Sequence, residues 1–436
     1  MMSDEALTLE DIRGRDATLP GGAGDGALHY DSIVVNSTGI GAIVFAARMA
    51  RDPRFQGRII VAAPPVKETR QLTEGCTLRA RTIDYCTAAN GTTRRAVLGA
   101  IYGNDWRQAE TDRQIAALYY PQGKTGTLDQ RVVFMHGNDV KPDRTLNQPF
   151  AYGVRNSRLM GALNDLAAAS GVEFVREPAV TFDELRALAK GSKPLIVNGG
   201  AKPVAGAAFA FQPKPPVAYV AATQMAFTAD RREAAGVLGP NDSFVGTVNR
   251  DGALDLCVFY PFQDPLSPTA RFYGIFYRAI KGATADMADV KKREQDILCD
   301  QVTGVADAMG LSPCDPEETM AKAYVPVSPW RNLQNRQQGV LDLSYINGGG
   351  CPIIAGDGMT RASLGGLAAA EAILRGQAPE PAMNRALRIW RGVNFVQYHV
   401  MTGAPDMSVY SMKHFPKLTF SGFKLQRDFD MWAGAY

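Results

Sequence analysis

A stretch near the start of the sequence, SIVVNSTGIGAIVFAARMA at residues 32–50, constrains the fold more than any other feature. A short apolar run is followed by small and polar residues, and a longer apolar run then continues to residue 50. The first run is typical of a strand buried on both faces of a parallel sheet, and the second is long enough for a helix beneath that sheet. With a second apolar strand in GRIIVAAPP, at 57–65, the stretch predicts a βαβ unit with a right-handed crossover.

The turn between this strand and helix has only part of the glycine fingerprint of dinucleotide-binding folds. In that fingerprint one glycine permits a tight turn, a second lets the backbone approach a diphosphate, and a third lets the helix pack closely. Here Asn36 and Thr38 take the first two places and Gly41 the third. Asn tolerates left-handed backbone, Gly39 can serve if the loop shifts by one residue, and the helix N-terminus offers N–H groups to an anion. On this stretch alone, a cofactor site and a plain strand–helix turn are equally well supported.

Composition excludes several classes of protein. The chain has 436 residues, of which 46% are hydrophobic and 21% charged, as expected for a globular protein with a large core. A net charge of +3 without basic runs does not favour a nucleic-acid partner. No apolar run approaches the roughly 18 residues of a membrane span, and no secretory leader is evident. The six cysteines and four histidines are scattered, so neither disulfides nor a bound metal is expected. These features predict a cytoplasmic protein.

The order of elements predicts an α/β fold with a split domain. Residues 1–30 are expected to form a flexible arm. Residues 31–210 and 325–380 would form a discontinuous Rossmann-like domain, because apolar strands alternate there with helices. Alternating patterns over 211–324 predict an inserted antiparallel sheet, which would form a substrate domain. A helical segment, 381–436, would complete the chain.

Two strand ends bear on cofactor binding. The second strand ends in Ala-Ala-Pro-Pro at 62–65, where a dinucleotide site normally has an acidic residue for the ribose. A later strand, IIAGDG at 353–358, ends in Gly356 and Asp357 before a predicted helix. A carboxylate there can bind a ribitol hydroxyl while the helix N-terminus faces phosphate, although a Gly-Asp helix cap is an equally simple interpretation.

The motifs in this order resemble those of flavoprotein monooxygenases, which bind FAD in a split Rossmann domain beside a sheet-based substrate lobe. Within that group the sequence most resembles the styrene and indole monooxygenases, whose flavin is reduced by a separate reductase. The resemblance covers most of the chain, and the order is more specific than any single motif. The segments that carry it are IVVNSTGIG, YGVRNSRLMGALNDLAAASGVEFVREPAV, LIVNGGAK, YVPVSPWRN and IIAGDGMTRASLGGLAAAEAIL.

The resemblance implies FAD as the cofactor and a set of residues that hold it. The first five members of this set would surround the diphosphate, and the arginines would reach the flavin phosphates. The valine would lie near adenine, the Gly-Asp pair would bind the ribitol, and the last two glycines would face the isoalloxazine. The set is Asn36, Ser37, Thr38, Gly39, Gly41, Arg79, Arg81, Val180, Gly356, Asp357, Gly365 and Gly366.

The activity that the resemblance implies is insertion of one oxygen atom into a small aromatic or heteroaromatic molecule. In the family, reduced FAD and oxygen form a flavin peroxide that epoxidises or hydroxylates the substrate, so no catalytic side chain is assigned. A flavin reductase is the expected partner, and a homodimer is compatible with the sequence. Aromatic residues of the substrate lobe could line an apolar pocket, although sheet core is the simpler interpretation of any one of them. They are Phe259, Tyr260, Phe272, Tyr273 and Phe276.

Departures from the family pattern leave two other functions open. Two fingerprint glycines are missing, the segment from Asp357 to Gly365 is shorter than in the family and lacks its proline, and Arg361 replaces an apolar residue or proline. These changes favour an enzyme that has lost flavin redox chemistry and catalyses a cyclisation or isomerisation. The third hypothesis is a cofactor-free binding protein for an apolar ligand. Halogenation is not favoured, because the Trp-x-Trp-x-Ile-Pro motif of the related halogenases is absent.

Overall fold

The structure is a computed structural model of the full chain. It describes residues 30–63, 75–102, 129–136, 139–147, 151–175, 181–200, 218–230, 244–250, 253–261, 269–281, 287–308, 310–314, 321–327, 339–343 and 358–387.

Strands and helices alternate over the first half of the described chain, and longer strands follow. The strands are β1 Ser32–Val35, β2 Arg58–Ala62, β3 Gly75–Arg79, β4 Asp129–His136, β5 Asp139–Asn147, β6 Ala151–Arg155, β7 Glu173–Val175, β8 Pro194–Asn198, β9 Ala218–Asp230, β10 Phe244–Arg250, β11 Ala253–Pro261, β12 Thr269–Lys281, β13 Ser312–Pro313, β14 Ala321–Val327 and β15 Val340–Asp342. The helices are α1 Ile40–Arg51, α2 Ala80–Asn90, α3 Arg94–Tyr102, α4 Asn156–Ala169, α5 Phe182–Leu188, α6 Met287–Ala308 and α7 Gly358–Leu374. Residues 379–387 are also helical.

Five short strands form a parallel sheet in the order β15-β8-β1-β2-β7. Every pair in it is parallel, and β1, which lies in the centre, is buried along its whole length. The uninterrupted apolar run at 33–35 therefore belongs to a strand covered on both faces. The βαβ unit predicted from the sequence is confirmed as β1, α1 and β2.

Helices cover both faces of this sheet. Alternate β1 residues face opposite sides, so Ile33 and Val35 join the large core under α1, α4 and α7. Val34 instead packs against Leu185 of α5 on the other face. Helix α5 begins at a capping box, in which Glu184 N–H donates to Thr181 Oγ1 at 3.2 Å and Thr181 N–H donates to Glu184 Oε2 at 2.9 Å. The result is a three-layer arrangement of helix, sheet and helix.

The larger sheet is mostly antiparallel and has the order β13-β9-β12-β11-β10-β4-β5, with β14 also paired to β9. Only β10 and β4 pair in parallel among its described strands. Strands β4 and β5 lie within 31–210, the segment assigned by sequence to the Rossmann-like domain, but their pairing places them in this larger sheet. The predicted fold class, a parallel-sheet domain with a separate antiparallel sheet, is confirmed. The exact domain boundaries remain a prediction.

Helix α6 covers one face of the larger sheet. Its residues Leu298 and Val302 form a core with Phe227, Phe259 and Phe276 of the strands. Phe259 and Phe276 meet edge to face at 6.3 Å between ring centroids, a favoured aromatic arrangement. In the part of the chain that is described, no helix has the length and apolarity needed to cross a bilayer.

Candidate functional site

The carboxyl ends of the parallel strands define the candidate site. The chain continues from β1 through α1 to β2, which lies beside β1 in the sheet. Strand β8 lies on the other side of β1. The strand order therefore reverses between β1 and β8. In open α/β sheets this reversal opens a crevice at the carboxyl ends of the strands, and ligands bind there.

Three helices begin close together at this edge. A β-carbon on Gly41 of α1 would lie 2.6 Å from the carbonyl oxygen of Ala362 in α7, so their first turns are in backbone contact. The hydroxyls of Thr82 in α2 and Thr360 in α7 are hydrogen-bonded at 2.9 Å, and both residues are buried. The beginnings of α1, α2 and α7 therefore converge on one region.

The three helices also point in the same direction. Farther along, Arg48 of α1 donates from Nε to Glu371 of α7 at 2.6 Å, so these two helices run side by side from the same end. Near the other end of α1, Arg51 donates to the Ala88 carbonyl of α2 at 3.4 Å. Parallel helices whose N-termini meet add their positive dipole ends at one place, which favours an anion there.

The first turn of α1 has no capping or acidic side chain that would compete with such an anion. No side chain caps α1, and its first turn contains no acidic residue, in contrast to the capping box of α5. Gly39 is exposed, and Asn36, Ser37 and Thr38 are half-buried. The unsatisfied N–H groups of the first turn therefore fit a diphosphate group, as a dinucleotide site requires.

Asn36 takes the place of the first fingerprint glycine and bonds sideways to the end of β8. Its Nδ2 donates to Asn198 Oδ1 at 2.9 Å, and its Oδ1 accepts the Gly199 N–H at 2.9 Å. Asn198 Nδ2 in turn donates to Asp342 Oδ1 at 3.1 Å. A continuous chain of hydrogen bonds thus crosses β1, β8 and β15 at their carboxyl ends.

Close packing joins the two loops on either side of the crevice. A β-carbon on Gly199 would lie 2.6 Å from the Ala42 side chain and 3.0 Å from Ser37. Ser37 Oγ accepts the Gly39 N–H at 2.9 Å, which holds the turn before α1. Gly199 is therefore required where the loop after β8 lies against the start of α1.

Three arginines lie at the converging helix ends. Arg361 is in the first turn of α7 and is fully buried. Arg79 ends β3, and Arg81 is the second residue of α2. The positions of Arg79 and Arg81, the two predicted phosphate-binding arginines, bring them to the edge at which the helices begin, and their role remains a prediction.

Gly365 and Gly366 lie within α7, where both are buried. A β-carbon on Gly366 would overlap the Gly41 carbonyl oxygen, and one on Gly365 would lie 3.6 Å from Leu387. Both glycines therefore have packing partners in a helix, whereas the resemblance implies a loop that faces a flavin ring. Val180, Gly356 and Asp357 lie outside the described residues, as does the predicted strand at 351–357.

The adenosine end of the crevice has no acidic residue at the usual place. Ala62 and Ala63, at the end of β2, are 1% and 7% exposed. A cofactor bound here would lack the carboxylate that ordinarily binds the ribose hydroxyls.

The predicted substrate-pocket residues do not share one surface. Phe259 and Phe276 are fully buried in the core beneath α6, and a β-carbon on Gly274 would touch Phe259 and Val302. Tyr273 precedes Gly274 and therefore faces the opposite side of the sheet, where it is 5% exposed and pairs by register with Ala226. Tyr260 pairs with Tyr273, and Phe272 with Pro261. The two phenylalanines pack beneath α6 and Tyr273 does not, because alternate residues along a strand face opposite sides of the sheet.

Titratable groups also gather beneath α6, away from the parallel sheet. Lys322 donates to Asp296 at 3.2 Å. Burial, together with Asp296, Glu294 and Cys299, raises the pKa of Tyr324 to about 12. Burial likewise raises the pKa of the Cys299 thiol, against the opposing effect of Lys322. These groups stabilise the helix–sheet contact, and no cluster of three potential metal-binding side chains occurs within the described ranges.

Sequence reasoning missed Asn198, Asp342, Thr82 and Thr360. Asn198 had a signal, because a polar residue ends the apolar strand in LIVNGG. Asp342 lies in the short run GVLDL, at 339–343, which is too brief to indicate a strand. Nothing near Thr82 or Thr360 marks them as partners across 278 residues.

Comparison with known proteins gives the fold. No protein-family model matches the sequence, and no curated protein matches it. The chain is similar to the crystal structure of FqzB, with 12% identity over 94% of this chain and 96% of that one at a TM-score of 0.55. It is also similar to CtdE in complex with FAD and a substrate, with 9% identity over 86% and 90% of the two chains at a TM-score of 0.51. The tetracycline destructase Tet(51) matches with 10% identity over 90% and 97% at a TM-score of 0.50.

The chain therefore shares its fold, a parallel-sheet domain beside an antiparallel sheet, with these structures, of which CtdE was crystallised with FAD. None of the three structures named above is described as a styrene or indole monooxygenase, so that narrower resemblance remains a prediction.

Proposed function

We propose that the protein is an FAD-dependent monooxygenase that inserts one oxygen atom into a small aromatic or heteroaromatic substrate. The observation that carries the proposal is the convergence of three parallel helix N-termini beside the β1–β8 crevice. The similarity to CtdE, which was crystallised with FAD and a substrate, supports the same cofactor. Reduced flavin, when bound, would supply the activated oxygen.

The residues of this chain would bind and orient that cofactor. First-turn N–H groups of α1, next to exposed Gly39, would donate to the diphosphate. Arg79 and Arg81, at the start of α2, would add positive charge. Asp357 would hold the ribitol, as the sequence resemblance implies. None of these residues transfers a proton in the reaction, so their contribution is to affinity and orientation.

The substrate would bind over the face of the larger sheet that α6 does not cover. Tyr273 and Gln224 lie on that face and are 5% and 2% exposed. These two residues are therefore candidates for contact with an aromatic or heteroaromatic substrate. A separate flavin reductase as partner, and a homodimer, are parts of the proposal that rest on the resemblance alone.

A non-redox enzyme on the same fold is the second candidate. Asn36 fills the place of a fingerprint glycine, and Ala62 and Ala63 replace the ribose-binding acid. Gly365 and Gly366 are packed within α7. These features weaken the hold on FAD or remove its redox role, and they equally fit a cofactor-free binding protein.

Titration of the purified protein with oxidised FAD, followed by flavin fluorescence and the visible spectrum, separates the candidates. We expect saturable binding, and an oxygenated indole product when reduced FAD and indole are added together in air. Binding without any oxygenated product, over a panel of indole, styrene and quinoline, would support the non-redox enzyme. Absence of binding at high FAD concentration would exclude the monooxygenase and leave the non-redox enzyme and the cofactor-free binding protein.

A further inference from the structure

The hydrogen-bond chain from Asp342 to Gly199 has only one self-consistent set of donors. Asn198 turns its Nδ2 toward Asp342, whose Oδ1 accepts at 3.1 Å. The Asn198 Oδ1 then faces Asn36 Nδ2 at 2.9 Å and the Gly200 N–H at 3.3 Å. Asn36 is left with its Oδ1 toward the Gly199 N–H at 2.9 Å. The orientation of both carboxamides is therefore fixed from two ends, by Asp342 at one and by the Gly199 and Gly200 N–H groups at the other.

Burial gives this chain its rigidity. Asn198 is fully buried and Asp342 is 3% exposed, so an unmatched polar atom at either residue would be costly. The backbone of Asn198 is also held, because its carbonyl accepts the Leu343 N–H at 2.8 Å. Satisfied buried networks of this kind fix one arrangement of the groups they connect.

The network lies where the fold normally requires glycine. In a dinucleotide fold, the first fingerprint place carries no side chain because the chain turns tightly there. Here the Asn36 side chain is turned along the strand ends toward β8, with both of its polar ends bonded. Its neighbour Gly39 stays exposed. The bonds to β8 therefore hold the carboxamide against the strand ends, beside the first turn of α1.

We propose that Asp342 is a positioning residue for the cofactor crevice, which acts through Asn198 and Asn36 to hold the β1–α1 turn and the Gly199–Gly200 loop in register. The inference rests on the proposed FAD-binding function of this crevice. It explains how this chain accommodates Asn where the fingerprint has glycine: the added side chain is bonded sideways and the spacing of the two loops is kept.

The test compares four variants with wild type. Asp342→Ala removes the terminal acceptor, whereas Asp342→Asn keeps an acceptor oxygen of the same shape. Asn198→Asp places two carboxylates side by side. The double variant Asn198→Asp/Asp342→Asn restores one donor and one acceptor with the bond reversed. Hydrogen exchange of the Gly199 and Gly200 amides is measured without FAD, and the FAD dissociation constant by flavin fluorescence.

We expect Asp342→Ala and Asn198→Asp to speed exchange of these amides and to raise the FAD dissociation constant, each by about tenfold, the size of one lost buried hydrogen bond. Asp342→Asn and the double variant should stay within about threefold of wild type for both quantities. If Asp342→Ala does not fold, the Asn198→Asp single and double variants carry the comparison.

Asp31→Ala is the matched control. Asp31 links the beginnings of β1 and β8 at the opposite edge, where its Oδ2 accepts the Ser192 and Lys193 N–H groups at 2.5 and 2.9 Å. This variant should lower the melting temperature without changing exchange at Gly199 or the affinity for FAD.

Two results would overturn the inference: unchanged exchange at Gly199 in Asp342→Ala, or faster exchange with unaltered FAD affinity. Failure of the double variant to recover what Asn198→Asp loses would overturn it as well. Absence of FAD binding by the wild-type protein is a different outcome, because it refutes the proposed function while the exchange data still decide whether Asp342 sets the loop.

Discussion

Gly41 of α1 and Gly366 of α7 face each other with no space for a side chain between their backbones. A β-carbon on Gly366 would overlap the Gly41 carbonyl oxygen, and one on Gly41 would lie 2.6 Å from the Ala362 carbonyl oxygen. Both residues are buried. The third fingerprint glycine thus permits close packing of its helix, here against another helix that begins at the same edge of the sheet.

This contact predicts opposite effects for two adjacent glycines. Gly366→Ala should lower the free energy of unfolding by about 1–3 kcal/mol, because backbone atoms of α1 must move. Gly365→Ala is the matched control: its β-carbon would lie 3.6 Å from Leu387, and alanine favours helix by up to about 1 kcal/mol. Urea denaturation measures both. Equal destabilisation by the two variants would contradict the packing described here.

The buried Thr82–Thr360 hydrogen bond predicts strong non-additivity. Thr82→Val or Thr360→Val alone leaves one buried hydroxyl unmatched, at a cost of about 1–3 kcal/mol. Changing both to valine removes both polar groups and keeps their shape, so the double variant should be less destabilised than the sum of the single ones. Urea denaturation of the four proteins completes the cycle, and simple additivity would show that the two hydroxyls do not interact.

Asp52 predicts acid sensitivity of the contact between α1 and α7. Hydrogen bonds from Arg54 at 2.8 Å, with a further contribution from Arg48, hold the pKa of the Asp52 carboxyl well below its usual range. Arg48 also forms an ion pair with Glu371 of α7, so the Asp52 carboxylate helps to hold the arginine that links the two helices.

The pKa of the Asp52 carboxyl is lower in the folded protein than in the unfolded chain, where it is about 4. Its contribution is therefore fully present above about pH 4 and is lost as the pH falls toward the folded-state pKa. Asp52→Asn should lower stability at pH 7 and flatten the decline of melting temperature below about pH 4. Parallel pH curves for the variant and wild type would refute this assignment.

The sequence was sufficient to predict the beginning of the parallel sheet. The run at 33–35 is uniformly apolar, and no other common structure buries so short a run on both faces. The same local evidence predicted the long strands β9 and β12, whose alternation is visible over 13 residues each. Short strands such as β15, with three residues, offer too little pattern.

The candidate site was less predictable because its contacts are long-range. Asn36 was identified as a departure from the glycine pattern, but its partner Asn198 is 162 residues away. Asp342 lies a further 144 residues beyond Asn198. Hydrogen bonds between the ends of adjacent parallel strands depend on strand order, which periodicity does not specify.

Alternation in the larger sheet predicts different roles for two aromatic residues of β12. Phe276 is fully buried under α6, so Phe276→Ala should lower the free energy of unfolding by about 3–5 kcal/mol. Tyr273 faces the other side, and Tyr273→Phe keeps its ring while it removes a hydroxyl. If that hydroxyl contacts substrate, the oxidation rates of indole and styrene should change by different factors.

The paired measurements are thermal unfolding and the rate of oxygenated-product formation with reduced FAD and each probe molecule. Phe276→Leu, milder than alanine, should lower the melting temperature and leave the indole-to-styrene rate ratio as in wild type, because the Phe276 ring packs on Phe259 and α6, on the side of the sheet opposite Tyr273. Tyr273→Phe should change that ratio with little effect on melting. The reverse pattern would place the substrate on the α6 side and would move the pocket to the face that the structure assigns to the core.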